Sequence, residues 1–88
     1  MTYTVLLHPK AHVFLKVCND ELEQRIRKKI LVLKVDPEKG KKLKYSDFWR
    51  LRIGEYRAIY EIDYKKQRII VLYIGHRKDV YDDFSRIF

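Results

Sequence analysis

Apolar and basic residues alternate strictly from Trp49 to Ile53. Trp49, Leu51 and Ile53 fall to one side, Arg50 and Arg52 to the other. A period of two marks a strand with one buried and one exposed face. The pattern resumes after Gly54-Glu55, where Tyr56, Ala58, Tyr60 and Ile62 share one side and Arg57, Ile59 and Glu61 the other. A two-residue Gly-X link between alternating runs predicts a type II′ hairpin. Asp63 to Gln67 then turns the chain. Arg68 to Gly75 (RIIVLYIG) is almost continuously apolar, which predicts a central strand buried on both faces.

The first half of the chain reads differently. Tyr3 to His8 (YTVLLH) is β-branched and aromatic, hence a strand. Pro9 suits the first turn of a helix, and Ala11, Phe14, Leu15 and Cys18 recur at helical spacing to about Cys18. A second helix follows with almost no linker, so the two should form an antiparallel hairpin. Asn19 or Asp20 can cap the second helix, and Asp20 with Glu23 has the spacing of a capping box. Leu22, Ile26, Ile30 and Leu33 form its apolar stripe, and Arg25, Arg27, Lys28, Lys29 and Lys34 take much of the rest. Asp36-Pro37 ends it. Residues 36–47 (DPEKGKKLKYSD) read as loop, either a solvated connection or a basic loop facing phosphate. The C-terminal HRKDVYDDFSRIF, with Val80, Phe84 and Ile87 at helical intervals, reads as a short helix or an extended tail.

Helices first and hairpin-linked strands afterwards predict an α+β fold. The N-terminal strand and a three-strand antiparallel meander complete one twisted sheet. The helical hairpin covers one face, and the other is expected to be open and lined by arginine. The 88 residues fit a single domain, 1–88, large enough to bury one core. The lone Cys18 cannot form an internal disulfide or build a cysteine zinc site, and it reads as a small core hydrophobe in a helix. No apolar run is long enough to span a bilayer, and the N-terminus lacks a signal-peptide pattern. A cytoplasmic protein without a membrane partner is expected.

Charge sharpens this picture. The net charge of +8 calls for a polyanionic partner. Abundant Lys and Glu would also follow from heat adaptation, which does not account for the positive excess. Arg50 and Arg52 share a strand face, the hairpin brings Arg57 alongside, and Arg77 follows the last strand. Guanidinium groups gathered in this way repel each other unless an anion sits among them, and their planar forks suit phosphate oxygens. The competing reading is a solvated face balanced by Glu55, Glu61 and Asp63.

Binding phosphate is not cleaving it. RNA cleavage needs an activated 2′-hydroxyl, a stabilised phosphorane and a protonated leaving oxygen. Arginine stabilises charge but is a poor base. Tyr81 is the first candidate for proton transfer, because Arg77 and Lys78 nearby would favour its phenolate. His76 is the second. Helix packing for Tyr81 and a solvent-facing strand end for His76 are the plainer alternatives. His8 and His12 read as structural or exposed. His76, Asp79, Asp82 and Asp83 are metal-ligand types, but their spacing fits no metal motif, and no metal or other cofactor is expected. No phosphate-cradling glycine loop, dinucleotide fingerprint or nucleophile elbow is present in the sequence.

The runs WRLRIGEYRAIYEI and IVLYIGHRKDVY resemble the hallmark segments of the RelE/ParE toxin superfamily, and the likeness extends over the whole chain. It implies a compact fold akin to microbial ribonucleases and a cognate RelB-like antitoxin. RelE-type members cut mRNA in the ribosomal A site through the 2′-hydroxyl, without a metal. The resemblance makes Arg57, Arg77 and Tyr81 the catalytic positions and Arg50, Arg52 and His76 the substrate-binding ones. Family members often carry lysine where Arg50 and Arg52 stand. The arginines strengthen phosphate binding and remove a conceivable lysine acid or base. Arg25, Lys28 and Lys29 would dock on ribosomal RNA or remain a solvated face. ParE-type members act on DNA gyrase and tend to lack the catalytic set, so the arginines and Tyr81 favour the ribonuclease branch. The remaining alternatives are a gyrase-directed toxin and a basic nucleic-acid-binding module.

Overall fold

The computed structural model describes residues 2–87. The elements are β1 (Thr4–Leu7), α1 (Pro9–Val17), α2 (Asp20–Leu31), a 3-10 turn (Val32–Lys34), β2 (Lys41–Lys42), β3 (Phe48–Ile53), β4 (Tyr56–Asp63), β5 (Arg68–His76) and α3 (Val80–Ile87). They build the expected α+β fold around one five-stranded sheet in the order β1-β5-β4-β3-β2. β1 runs parallel to β5, and every other neighbouring pair is antiparallel. No described helix is long and apolar enough to cross a membrane.

Period-two alternation gives the sheet two dry surfaces. On one, Leu51, Ile53, Ala58, Tyr60, Ile69, Val71 and Ile74 meet Ala11 and Leu15 of α1 and Ile26 and Ile30 of α2. On the other, Ile59 and Leu72 meet Val80 and Phe84 of α3. The second surface is therefore not open, as the pattern alone suggested. The C-terminal segment is a helix whose apolar positions cover part of it. Phe48 packs edge-on against Phe84, and the Tyr73 hydroxyl donates to the Asp83 carboxylate at 3.3 Å.

Local chemistry explains the helix ends. Pro9 opens α1, and the His8 ring accepts from the Lys10 N–H. Cys18 is half-buried at the end of α1, where its thiol donates to the Phe14 carbonyl. Burial and the nearby Glu23 push that thiol up, which suits a packing role. Asn19 caps α2, accepting from the Leu22 N–H at 2.8 Å. The Asp20–Glu23 capping box does not form, because Asp20 already lies inside the helix and Glu23 pairs with Arg27 one turn on. The helix ends at Leu31, and the 3-10 turn carries the last stripe residue, Leu33, into the core.

Residues 36–47 were expected to be loop, yet Lys41 and Lys42 pair with β3 and form its outer neighbour. Buried Tyr60 pins the approach to that strand. Its hydroxyl donates to the Pro37 carbonyl at 2.7 Å and accepts from the Gly40 N–H at 3.1 Å. A Cβ on Gly40 would collide with the Arg50 carbonyl oxygen and the Tyr60 hydroxyl. Burial pushes the Tyr60 phenol up, so it stays a donor. Tyr64 adds a second tether by donating to Glu38 at 2.6 Å, and this bond pushes its phenol up to about 12.

Replacing Tyr60 with Phe orphans two partners of a buried hydroxyl and should cost about 1–2 kcal/mol in urea denaturation. Gly40→Ala should also destabilise, through the backbone collision. Unchanged midpoints for both variants would show that segment 37–40 is not fixed in this way.

Candidate phosphate-binding face

The β3–β4 register is unbroken and sets Arg52 directly opposite Arg57 and Arg50 opposite Ile59. Gly54 has φ +59 and Glu55 does not share the positive region, as a type II′ turn requires. All three arginines emerge on the face that carries Ile59 and α3. Like charges directly across a ladder are unfavourable. Partial burial holds the Arg57 guanidinium below its ordinary range, as do Arg52, Arg50 and Arg77, while Tyr81 opposes them. Arg57 Nη1 donates to the Gly54 and Tyr56 carbonyls, both at 2.8 Å, which draws the side chain toward its own turn. The Arg77 N–H donates to the Glu55 carbonyl at 2.8 Å and holds the end of β5 beside that turn.

Helix α3 closes the patch from the other side. Val80 and Phe84 face the sheet, and Tyr81, on a neighbouring helix face, stays partly exposed. Arg50 Nη1 donates to the Tyr81 hydroxyl at 2.9 Å. The structure thus brings together Arg50, Arg52, Arg57, Arg77 and Tyr81. Cations surrounding a phenolic oxygen can hold a phosphate and stabilise charge developing on it.

His76 is not part of this group. The β4–β5 register slips between Ile59 and Tyr60, so that Ile59 faces Tyr73 while Tyr60 faces Val71. Leu72 is the extra residue, and both Leu72 and Tyr73 lie on the α3 side. A bulge of this kind inverts the parity of all that follows. His76 consequently lies on the helical-hairpin side, its ring 5.6 Å from that of Tyr56, and Nδ1 accepts from the Lys78 N–H. Arg25, Lys28 and Lys29 are exposed on α2, across the sheet from the arginine patch. Among the described residues, no group of three or more His, Cys, Asp or Glu side chains could hold a metal ion.

One cation of the basic loop 36–47 joins the same face. Lys41 stands directly opposite Arg50, so the two side chains leave the sheet on the same face. Only the two-residue β2, too short for any periodic signal, reveals it.

A mixed five-stranded sheet with a helical hairpin on one side is the fold of RelE toxins. The chain belongs to the ParE toxin family of type II toxin-antitoxin systems, whose model matches residues 5–81. RelE in the archaeal RelE–RelB complex from Pyrococcus horikoshii is similar at 29% identity and a TM-score of 0.75, over 88% of this chain and 97% of that one. The RelB–RelE antitoxin–toxin complex from Methanococcus jannaschii gives 27% identity and a TM-score of 0.68, over 90% and 98%. A double-arginine variant of the E. coli toxin RelE in the free state shares the fold over 100% of both chains, with a TM-score of 0.78 at 22% identity. No curated protein matches the sequence.

Repulsion within the cluster has a measurable consequence. At low ionic strength, Arg52→Gln should raise the melting temperature and flatten its rise with added salt. Inorganic phosphate should stabilise the wild type more than chloride at equal ionic strength. A variant that melts as the wild type does, with no phosphate effect on either, would mean that the guanidinium groups do not repel.

Proposed function

We propose that this protein is the toxin of a type II pair and an endoribonuclease that cuts mRNA in the ribosomal A site, inhibiting translation. The Arg50–Tyr81 hydrogen bond is the observation that carries this reading, because it joins the phosphate-binding cations to a group able to move a proton. In the proposed reaction the scissile phosphate lies among Arg50, Arg52, Arg57 and Arg77. The ribose 2′-hydroxyl loses its proton and its oxygen attacks phosphorus. The bond to the 5′-oxygen breaks, a proton passes to that oxygen, and a 2′,3′-cyclic phosphate remains. Arginine cannot serve as the base, so Tyr81 takes part in the proton transfer, and the guanidinium groups stabilise the pentavalent intermediate.

A domain of this size has little room to bind a long RNA deeply. The ribosome would present and orient the mRNA, leaving the toxin to contribute mainly electrostatics. Arg25, Lys28 and Lys29 would then meet ribosomal RNA. The solved RelE–RelB complexes support a RelB-like antitoxin as the partner of this chain. A second reading has its own support, since the matching family model is that of ParE toxins. In that reading the target is DNA gyrase and no RNA is cut.

Translation of a defined message with purified protein separates the two. The nuclease reading expects cuts at A-site codons, reduced by about hundredfold or more in Arg57→Ala and Tyr81→Phe. An intact message together with inhibited gyrase supercoiling would overturn it in favour of the second reading.

A further inference from the structure

The loop that follows β2 carries a tyrosine that folding does not explain. Tyr45 is fully exposed and has φ +58, in the left-handed region that an L side chain adopts at a cost. Glycine or asparagine would suit that backbone better. The loop around Tyr45 is nevertheless well held. The Leu43 N–H donates to the Phe48 carbonyl at 2.9 Å, and the Ser46 hydroxyl donates to the Leu43 carbonyl and accepts from the Phe48 N–H. Phe48 is in turn packed on Phe84 of α3. An aromatic ring is thus mounted on a fixed turn, in full solvent, in a strained conformation, with Lys44 beside it.

The same hairpin extends the cationic face. Lys41 lies opposite Arg50, and Lys39, Lys41, Arg50 and Arg52 line one shallow groove. From Arg77 beyond β5, through Arg57 on β4 and the β3 arginines, to Lys41 on β2, the cations cross four neighbouring strands. At about 4.8 Å between strands this row spans roughly 14 Å, more than one phosphate needs. A row of cations with an exposed aromatic in the loop of the same hairpin is the composition of a single-stranded nucleic-acid track, where phosphates meet the charges and a base stacks on the ring.

We infer that the β2–β3 hairpin is a second RNA-contact element, in which Lys39 and Lys41 take a backbone phosphate flanking the scissile one and Tyr45 stacks on an unpaired base. The assignment of these contacts to substrate rests on the nuclease reading, but the binding itself can be measured without cleavage. The probe is a short, fluorescently labelled single-stranded RNA with 2′-O-methyl riboses, which cannot be cut by attack of the 2′-oxygen, titrated at several salt concentrations.

Tyr45→Ala should weaken binding by about tenfold without changing the salt dependence, because stacking is lost and charge is not. Tyr45→Trp should bind as the wild type does. Tyr45→Gly should bind as poorly as Tyr45→Ala while melting at a higher temperature than the wild type, a combination that a merely structural role for the ring would not give. The double variant Lys39→Ala/Lys41→Ala should lower the slope of log affinity against log salt by about 0.7, the value for one lost phosphate contact on a single strand. Tyr45 and lysine variants that bind like the wild type would overturn the inference, as would a wild-type protein that does not bind the probe at low salt. If only Arg50→Ala and Arg52→Ala lose binding, the hairpin inference falls and the nuclease reading stands. If the hairpin variants lose binding while translated messages remain intact, the hairpin still binds RNA and the nuclease reading falls.

Discussion

The register of the β3–β4 hairpin governs where every charge on the working face falls. A two-residue turn leaves no slack, so Ile53 must pair with Tyr56 and Arg52 must face Arg57. A slip of one residue would send Arg50, Arg52 and Arg57 into the helix-covered core and expose Trp49 and Leu51, an exchange no small domain survives. Burial of one face thus enforces crowding of cations on the other. The core fixes the register, and the register brings together guanidinium groups that would separate if they were free to do so.

Helix α3 makes that crowding specific. It covers only the half of the second face where Ile59 and Leu72 lie, so the arginines stay at its border rather than beneath it. Seating Val80 and Phe84 turns Tyr81 toward Arg50. The bulge at Leu72 gives α3 two consecutive apolar contacts on β5, Leu72 and Tyr73, and at the same step sends His76 to the opposite side. The Tyr60 hydroxyl plays a similar part at the other edge of the sheet, where its bonds to Pro37 and Gly40 set the path into β2 and so place Lys41 beside Arg50.

Much of this was legible in the order of the residues. Strict alternation in Trp49–Ile53 and Tyr56–Ile62 fixes which side chains share a face, and Gly54 fixes the turn, so Arg50, Arg52 and Arg57 were assigned to one surface without coordinates. The helical hairpin followed from the spacing of Leu22, Ile26 and Ile30. Other features left no such trace. An unbroken apolar run such as Ile69–Ile74 carries no parity information, so the bulge and the resulting position of His76 were invisible. A two-residue strand has no period, which hid β2 within a lysine-rich loop. The cover that α3 provides depends on long-range packing of Val80 and Phe84, and their spacing announces a helix but not its seat. Asn19 and Asp20 are both good caps, and only the geometry decided between them.

The central claim is that four guanidinium groups from three separate segments act as one phosphate site. Nitrogen-detected NMR of the arginine side chains, during titration with a short non-cleavable RNA, tests this most directly. The account predicts that the Nε–Hε signals of Arg50, Arg52, Arg57 and Arg77 shift together along a common binding curve while those of Arg25, Arg27 and Arg86 barely move. Shifts spread evenly over all the arginines, or concentrated on α2, would contradict it.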